Sequence, residues 1–149
     1  MVKLLRFFKR RTGMAVDMFQ EHYRTRHAAL VSCLSGVVRY TQSHTLLSGY
    51  RKREPLYDGV DEVWVKNTDV LRSHVDTAEL AAINANAAEF IHLPSVGTII
   101  VDDHLIKGGA VPEGALKNME FVRHRADLSI PAFQKHWREI HGPMAAAIP

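Results

Sequence analysis

His27 is the first side chain in this sequence whose type and spacing suit chemistry. Phe19, Tyr23 and His27 recur at intervals of four residues, so they lie along one face of a predicted helix. An imidazole at the end of this apolar stripe would reach the sheet or a cavity mouth, and histidines titrate near neutral pH. We therefore predict His27 as a general acid or base, with Phe19 and Tyr23 as substrate contacts. The alternative is a core histidine that is satisfied by a backbone carbonyl.

A second candidate set lies on the predicted second strand, where Tyr40, Gln42 and His44 alternate and share one face. If that face lines a cavity, His44 can act as a general base, and Tyr40 can donate to a developing enolate or phenolate oxygen. Gln42 would then contact the substrate. The alternative is an edge strand whose polar face is wet.

The third candidate set is Glu62 with Trp64, which share one face of the predicted third strand, while Asp61 lies on the other face with valines that suit helix packing. Beside an indole in a partly apolar cavity, Glu62 would be a usable acid or base and Trp64 a substrate contact. The alternative is an ion pair across strands with Arg6 or Arg39.

The elements that must position these residues follow a βαββαβ order. They are a strand at 2–9, a helix at 15–35, strands at 37–47 and 58–66, a helix at 67–91 and a strand at 98–104. This is an α+β, ferredoxin-like arrangement. Because two helices cover only one face of a four-stranded sheet, the other face needs a partner, and we expect a homodimer.

The chain also contains an internal repeat. Residues 3–30 align without a gap on residues 117–144, with eight identities in 28 positions at a constant offset of 114. The stripe reappears as Phe133, Trp137, His141 and Met144. The sequence therefore predicts a duplication.

This duplication sets the predicted domain organisation: a domain at 1–107, a linker at 108–115 and a partial second copy at 116–149. In the second copy we expect a strand at 117–124 and a helix at 130–146. We expect both to dock on a sheet that a second chain or further residues supply.

Composition excludes several classes of function. The net charge of +3 arises from 19 basic and 16 acidic residues that are largely interspersed, so we expect no nucleic-acid partner. No apolar stretch is long enough to span a bilayer, and the N-terminus lacks a signal-peptide pattern, so we expect a cytoplasmic protein. The single cysteine, Cys33, cannot form an intrachain disulfide. In the absence of a phosphate loop, a Rossmann fingerprint and a metal-ligand cluster, we expect neither a cofactor nor a metal.

Four segments resemble the EthD-like family of the dimeric α+β-barrel superfamily. Residues 132–144 resemble its Phe-x-x-(His/Tyr)-Trp-x-x-x-His-Gly-Pro-Leu helix, and residues 57–64 resemble its Tyr-Asp-Gly-x-x-Glu-x-Trp motif. Residues 19–30 and 39–44 agree as well. The first copy departs from the pattern, with alanines at 28 and 29 where Gly-Pro is usual.

This resemblance implies a fold in which two sheets enclose a small-molecule cavity. Relatives include lactone isomerases, aromatic polyketide cyclases, dehydratases, decarboxylases and cofactor-free oxygenases, so the fold alone does not define a reaction. We expect a cofactor-free enzyme of the isomerase or lyase type, polyketide cyclase-like, that transfers protons on a hydrophobic oxygenated ring compound in polyketide or aromatic metabolism. The alternatives are a cofactor-free monooxygenase and a non-catalytic small-molecule or haem-binding barrel.

Overall fold

The protein is represented by a computed structural model that describes residues 1–148. These residues divide into two compact units, the first comprising Met1–Asp103 and the second beginning at His104. Each unit is described by itself. Within residues 1–148, no helix is both long and apolar enough to cross a membrane.

The first unit has the predicted order of elements. Its four strands are β1 Val2–Phe8, β2 Val37–His44, β3 Gly59–Val65 and β4 Gly97–Val101. Its helices are α1 Val16–His22, α2 Ala28–Ser32, α3 Thr68–Ser73 and α4 Ala78–Phe90, with short 3₁₀ turns at Leu47–Arg51 and Leu93–Ser95. The strands form one antiparallel sheet in the order β2-β3-β1-β4. The ferredoxin-like prediction is confirmed.

A turn of π-helix, Tyr23–His27, joins α1 to α2. In an α-helix, residues four apart drift by about 40° around the axis. The wider π turn, with its i→i+5 hydrogen bonds, reduces that drift. Phe19, Tyr23 and His27 are all fully buried, so the turn keeps the predicted stripe facing the sheet.

The core lies between the helices and one face of the sheet. Its aromatic part joins Phe8 of β1 to Phe19, Tyr23 and Phe90. Phe8 meets Tyr23 edge to face with ring centroids 5.3 Å apart, an arrangement that adds to the gain from burial. A second, aliphatic cluster of buried residues lies further along the sheet and comprises Val31, Val63, Val65 and Ile83.

The Asp58-Gly59 pair shapes the start of β3. A Cβ atom on Gly59 would lie 2.9 Å from ring atoms of both Phe8 and Tyr23, so only glycine lets these rings pack on the strand. The carboxylate of Asp58 is fully buried and accepts hydrogen bonds from the backbone and side chain of Arg10 and from Tyr50. Thus the Tyr-Asp-Gly motif is used structurally here.

The second unit repeats the helical pattern of the first. Its helices are α5 Ile130–His136 and α6 Gly142–Ala146, joined by a second π turn, Trp137–His141. Helix α5 begins 114 residues after α1, at Ile130 against Val16, and the second π turn begins 114 residues after the first, at Trp137 against Tyr23. The order of α-helix, π turn and α-helix therefore recurs at the offset of the sequence repeat.

The predicted strand at 117–124 is absent, because the described structure contains no strand between β4 and α5. A strand needs a neighbour for its backbone N–H and C=O groups, and the second unit holds no other strand. The regular structure described in the extension is therefore helical, and the pairing of 117–124 with a sheet of a second chain stays a prediction. Trp137 and Met144 of the repeated stripe are 39% and 68% exposed.

Candidate functional site

Asp61 on β3 is the centre of a buried polar cluster. It is 3% exposed, and its Oδ1 accepts hydrogen bonds from the hydroxyls of Tyr23 at 2.8 Å and Tyr40 at 2.6 Å. Burial raises the pKa of Tyr23 and of Tyr40 well above the ordinary value, and the negative charge of Asp61 raises both further. Both phenols therefore remain protonated and donate to the carboxylate.

His27 approaches the same carboxylate from the helix. Its Nδ1 lies 3.1 Å from Oδ1 of Asn86, whose Nδ2 in turn donates to Nε2 of His22 at 2.8 Å. This arrangement assigns the proton of neutral His27 to Nδ1, which leaves a lone pair on Nε2. That Nε2 lies 3.8 Å from Oδ2 of Asp61 and has no hydrogen-bond partner within residues 1–148.

A chain of hydrogen bonds leads along β2 towards Asp61. Nε2 of His44 lies 3.1 Å from Oε1 of Gln42, and Nε2 of Gln42 donates to the hydroxyl of Tyr40 at 2.8 Å. Burial, assisted by the positive charge of Arg24, lowers the pKa of His44 despite the opposing charge of Asp61. A neutral His44 thus donates to Gln42, at the start of a chain of hydrogen bonds that ends at the Asp61 carboxylate. This chain of donors stabilises the negative charge of the carboxylate.

A cavity of about 250 Å³ adjoins this cluster, between the helices and the sheet. Among the described residues that line it, four are polar: Arg6, His27, Asp61 and His74. The others are aliphatic. Most small-molecule sites combine apolar walls with a few convergent polar groups in this way.

The structure brings five of the predicted site residues together. Tyr23, His27, Tyr40, Gln42 and His44 all belong to the network around Asp61. The face that Tyr40, Gln42 and His44 share is the one that the helices cover, and β2 is an edge strand whose polar face packs on the helices instead of facing solvent. The donor role expected of Tyr40 also changes, because its hydroxyl hydrogen already bonds to Asp61.

Glu62 and Trp64 lie on the opposite face of the sheet from this network, so they do not join it. Glu62 is 2% exposed and pairs with Lys3 at 3.3 Å. The ring of Trp64 lies beneath Lys3 and Arg39, and its Nε1 donates to Asp103. Alternation along β3 makes this separation unavoidable, since neighbours on a strand point to opposite faces.

Phe19 is likewise apart from the cavity, because its ring packs against Phe8 and Phe90 in the aromatic core. Four residues of the site were not predicted from the sequence: Arg6, Asp61, His74 and Asn86. A carboxylate among valines on the helix-facing side of β3 was a visible signal for Asp61. Its pairing with Gln42 on one side and Arg6 on the other depends on strand register, which the sequence does not display.

This arrangement suits proton transfer. The free Nε2 of His27 can accept a proton from a molecule in the cavity, and the resulting imidazolium would face the Asp61 carboxylate. Arg6 adds a cationic side chain to the same cavity wall, where it can stabilise negative charge that develops on an oxygen.

No group of three or more His, Cys, Asp and Glu side chains suited to a metal ion occurs among residues 1–148.

Comparison with known proteins gives a family and a fold. Residues 11–94 match the profile of the EthD domain. An EthD family protein from Bacillus halodurans is 21% identical over 70% of this chain and 99% of its own, with a TM-score of 0.57. A dimeric protein of unknown function from Bacteroides fragilis is 17% identical over 68% of this chain and 95% of its own, with a TM-score of 0.53.

A third solved structure is SnoaB, a cofactor-independent oxygenase from Streptomyces nogalater, which is 14% identical over 70% of this chain and 93% of its own, with a TM-score of 0.51. At these identities, the likeness shows the fold and leaves the activity open. None of the curated proteins compared with the chain matches it.

Proposed function

Because the chain belongs to the EthD domain family and buries, beside a cavity, a histidine whose Nε2 has no hydrogen-bond partner within residues 1–148, we propose that it is a cofactor-free enzyme of the isomerase or lyase type. It removes a proton next to a carbonyl group of a hydrophobic, oxygenated ring compound. The observation that carries this proposal is that His27 lines the cavity and that its Nε2 lies 3.8 Å from a carboxylate oxygen of Asp61.

The role of His27 follows from its fixed tautomer. Asn86 accepts from Nδ1, so Nε2 is the atom that takes the substrate proton. Asp61 then stabilises the imidazolium, while its Oδ1 accepts hydrogen bonds from the hydroxyls of Tyr23 and Tyr40. The guanidinium of Arg6 is the group best suited to hold the enolate oxygen.

The cavity limits the substrate class. At the packing density of a protein interior, about 250 Å³ holds roughly a dozen non-hydrogen atoms, which corresponds to two fused rings. Aliphatic walls favour an apolar ring system, and the four polar side chains favour oxygen substituents on it.

The proposal is tested by isotope exchange, since isomerases and lyases of this type share the first proton abstraction. With 2-tetralone in D₂O, the protein is expected to accelerate the exchange of hydrogen for deuterium at the C–H groups next to the carbonyl. Proton NMR measures the rate of this exchange. His27→Gln, which retains a hydrogen-bonding side chain, is expected to lower that rate by about 10²–10⁴-fold, the usual contribution of a general base.

His92→Gln is the matched control, because His92 is exposed and is expected to leave the exchange rate unchanged. Binding of 2-tetralone without accelerated exchange would favour a non-catalytic binding protein. An oxygen-dependent loss of substrate without isotope exchange would favour a cofactor-free monooxygenase. Either result would contradict the proton-transfer proposal.

We also propose that the protein works as a cytoplasmic homodimer of the α+β-barrel type. The support is the ferredoxin-like fold and its occurrence in solved structures described as dimeric. Sedimentation equilibrium at micromolar concentration is expected to give twice the 16.8 kDa mass of one chain. A mass of one chain throughout the micromolar range would contradict the dimer.

The domain organisation is proposed as 1–107, 108–115 and 116–149, with the last segment a partial second copy. The recurrence of α-helix, π turn and α-helix at the offset of the sequence repeat supports it. π turns are rare in proteins, so two at equivalent positions favour a common origin over coincidence.

A further inference from the structure

His74 is a buried imidazole to which the proposed reaction assigns no role. It follows α3 and is 8% exposed, and its Nε2 has no hydrogen-bond partner within the described residues. A buried polar atom without a partner is costly unless something satisfies it. Its side chain lines the same cavity as His27.

The cavity lining separates into the cluster around His27, to which Asp61 and Arg6 belong, and His74, which with its groove lies apart from that cluster. The remaining lining residues, among them Leu34, Leu71, Leu80 and Ile83, are aliphatic. The cavity therefore presents two separate polar groups on an otherwise apolar wall, the His27–Asp61–Arg6 cluster and the single imidazole of His74. A ligand with one oxygen function would leave Nε2 of His74 unpartnered.

His74 also lies where the cavity adjoins the outside of the first unit. A groove of about 400 Å³ on that side is lined by His74 and Leu34, which the cavity shares, and by Cys33, Ser73 and Thr77. A polar group of the ligand at His74 would therefore lie towards this groove, while the reacting end lies at His27.

We propose that His74 is a specificity-determining residue that binds a second oxygen substituent, a hydroxyl or a carbonyl, on the far ring of the substrate. This inference rests on the proposed small-molecule site and narrows its substrate class to fused-ring compounds that carry oxygen at both ends. A neutral imidazole Nε2 accepts from a hydroxyl in one tautomer and donates to a carbonyl in the other, so both functions fit.

The test compares three probes of one ring system: naphthalene, 2-naphthol and 2,6-dihydroxynaphthalene. Titration calorimetry on the full chain is expected to show 2-naphthol binding more tightly than naphthalene, and the diol binding about tenfold more tightly than 2-naphthol, as one added hydrogen bond predicts. His74→Phe is expected to abolish the preference for the diol and to leave the affinity for 2-naphthol within about twofold.

His92→Phe, the same change at an exposed position, is the control and is expected to retain all three affinities. Should His74→Phe fail to fold, long-range ¹H–¹⁵N spectra of the unmodified protein replace it. The Nε2 resonance of His74 is then expected to shift with the diol and not with 2-naphthol.

The outcomes separate this inference from the proposed function. Failure to bind any of the probes would overturn both. The role of His74 is wrong if 2-naphthol binds more tightly than naphthalene in a His27-dependent manner while the diol gains nothing. It is also wrong if the preference for the diol survives in His74→Phe. In both cases the small-molecule site at His27 stands, and isotope exchange with 2-tetralone tests its chemistry.

Discussion

Replacing Asp61 by alanine is expected to lower the free energy of unfolding by roughly 2–6 kcal/mol, because it leaves the buried hydroxyls of Tyr23 and Tyr40 without an acceptor, at about 1–3 kcal/mol each. Urea unfolding measures the change. Asp69→Ala is the control, because Asp69 forms an exposed ion pair with Arg72, and its loss is expected to cost less than about 1 kcal/mol.

Asp61→Asn distinguishes the structural role of this residue from its chemical one. The amide oxygen still accepts from both tyrosines, so the loss of stability is expected to be smaller than for alanine. The negative charge that stabilises the imidazolium of His27 is gone, so isotope exchange with 2-tetralone is expected to fall. Equal exchange rates in Asp61→Asn and the unmodified protein would show that the carboxylate has no part in the chemistry.

Asp58→Ala is expected to lower the free energy of unfolding by about 3–5 kcal/mol, the usual cost of breaking a buried ion pair from one side. The Asp58 carboxylate is fully buried, with Nη1 of Arg10 at 2.7 Å, Nζ of Lys9 at 3.0 Å and the Tyr50 hydroxyl at 2.5 Å. These groups tie the end of β1 to the segment that precedes β3. A loss below about 1 kcal/mol in urea unfolding would contradict this role.

The same cluster predicts a dependence of stability on pH. Burial opposes ionisation of Asp58, but hydrogen bonds from Tyr50, Arg10 and Lys9 together lower its pKa below the ordinary value. Hydrogen bonds from Arg10 and Lys9 lower the pKa of the exposed Glu54 to about 2. Because both folded-state pKa values are depressed, the stabilisation is present above about pH 4 and is lost as the pH falls through the folded-state pKa values.

Urea unfolding of Asp58→Ala between pH 5 and 2 is expected to show a shallower acid loss than the unmodified protein. Glu54→Gln changes an exposed position of the same cluster and serves for comparison. It is expected to remove only the part of the pH dependence that the Glu54 carboxylate causes. Parallel stability curves for Asp58→Ala and the unmodified protein would mean that other carboxylates cause the acid loss.

Periodicity determined the elements of the first unit, because spacings of four and of two are properties of the chain itself. The stripe of Phe19, Tyr23 and His27 predicted a buried helical face, and all three residues are fully buried. Asn67 and Ser129 accept hydrogen bonds from backbone N–H groups at the starts of α3 and α5, as their side chains favour.

Alternation also separated the faces of β3 correctly, but it did not say which face carries the site. Tyr40, Gln42 and His44 were placed together from the sequence, and they are together. Their neighbour is Asp61, however, because the register of β2 against β3 sets Gln42 opposite Asp61. A shift of one residue would have brought Glu62 to that position.

By itself the sequence determined the family, the order of elements in the first unit, and a helical stripe that ends in His27, since these depend on side-chain types and on spacing along one chain. Only the tertiary structure decided that His27 meets Asp61, that Asn86 holds its Nδ1, and that His74 lines the same cavity. These contacts join residues far apart in sequence, and they depend on register and packing between elements, which a linear pattern does not encode.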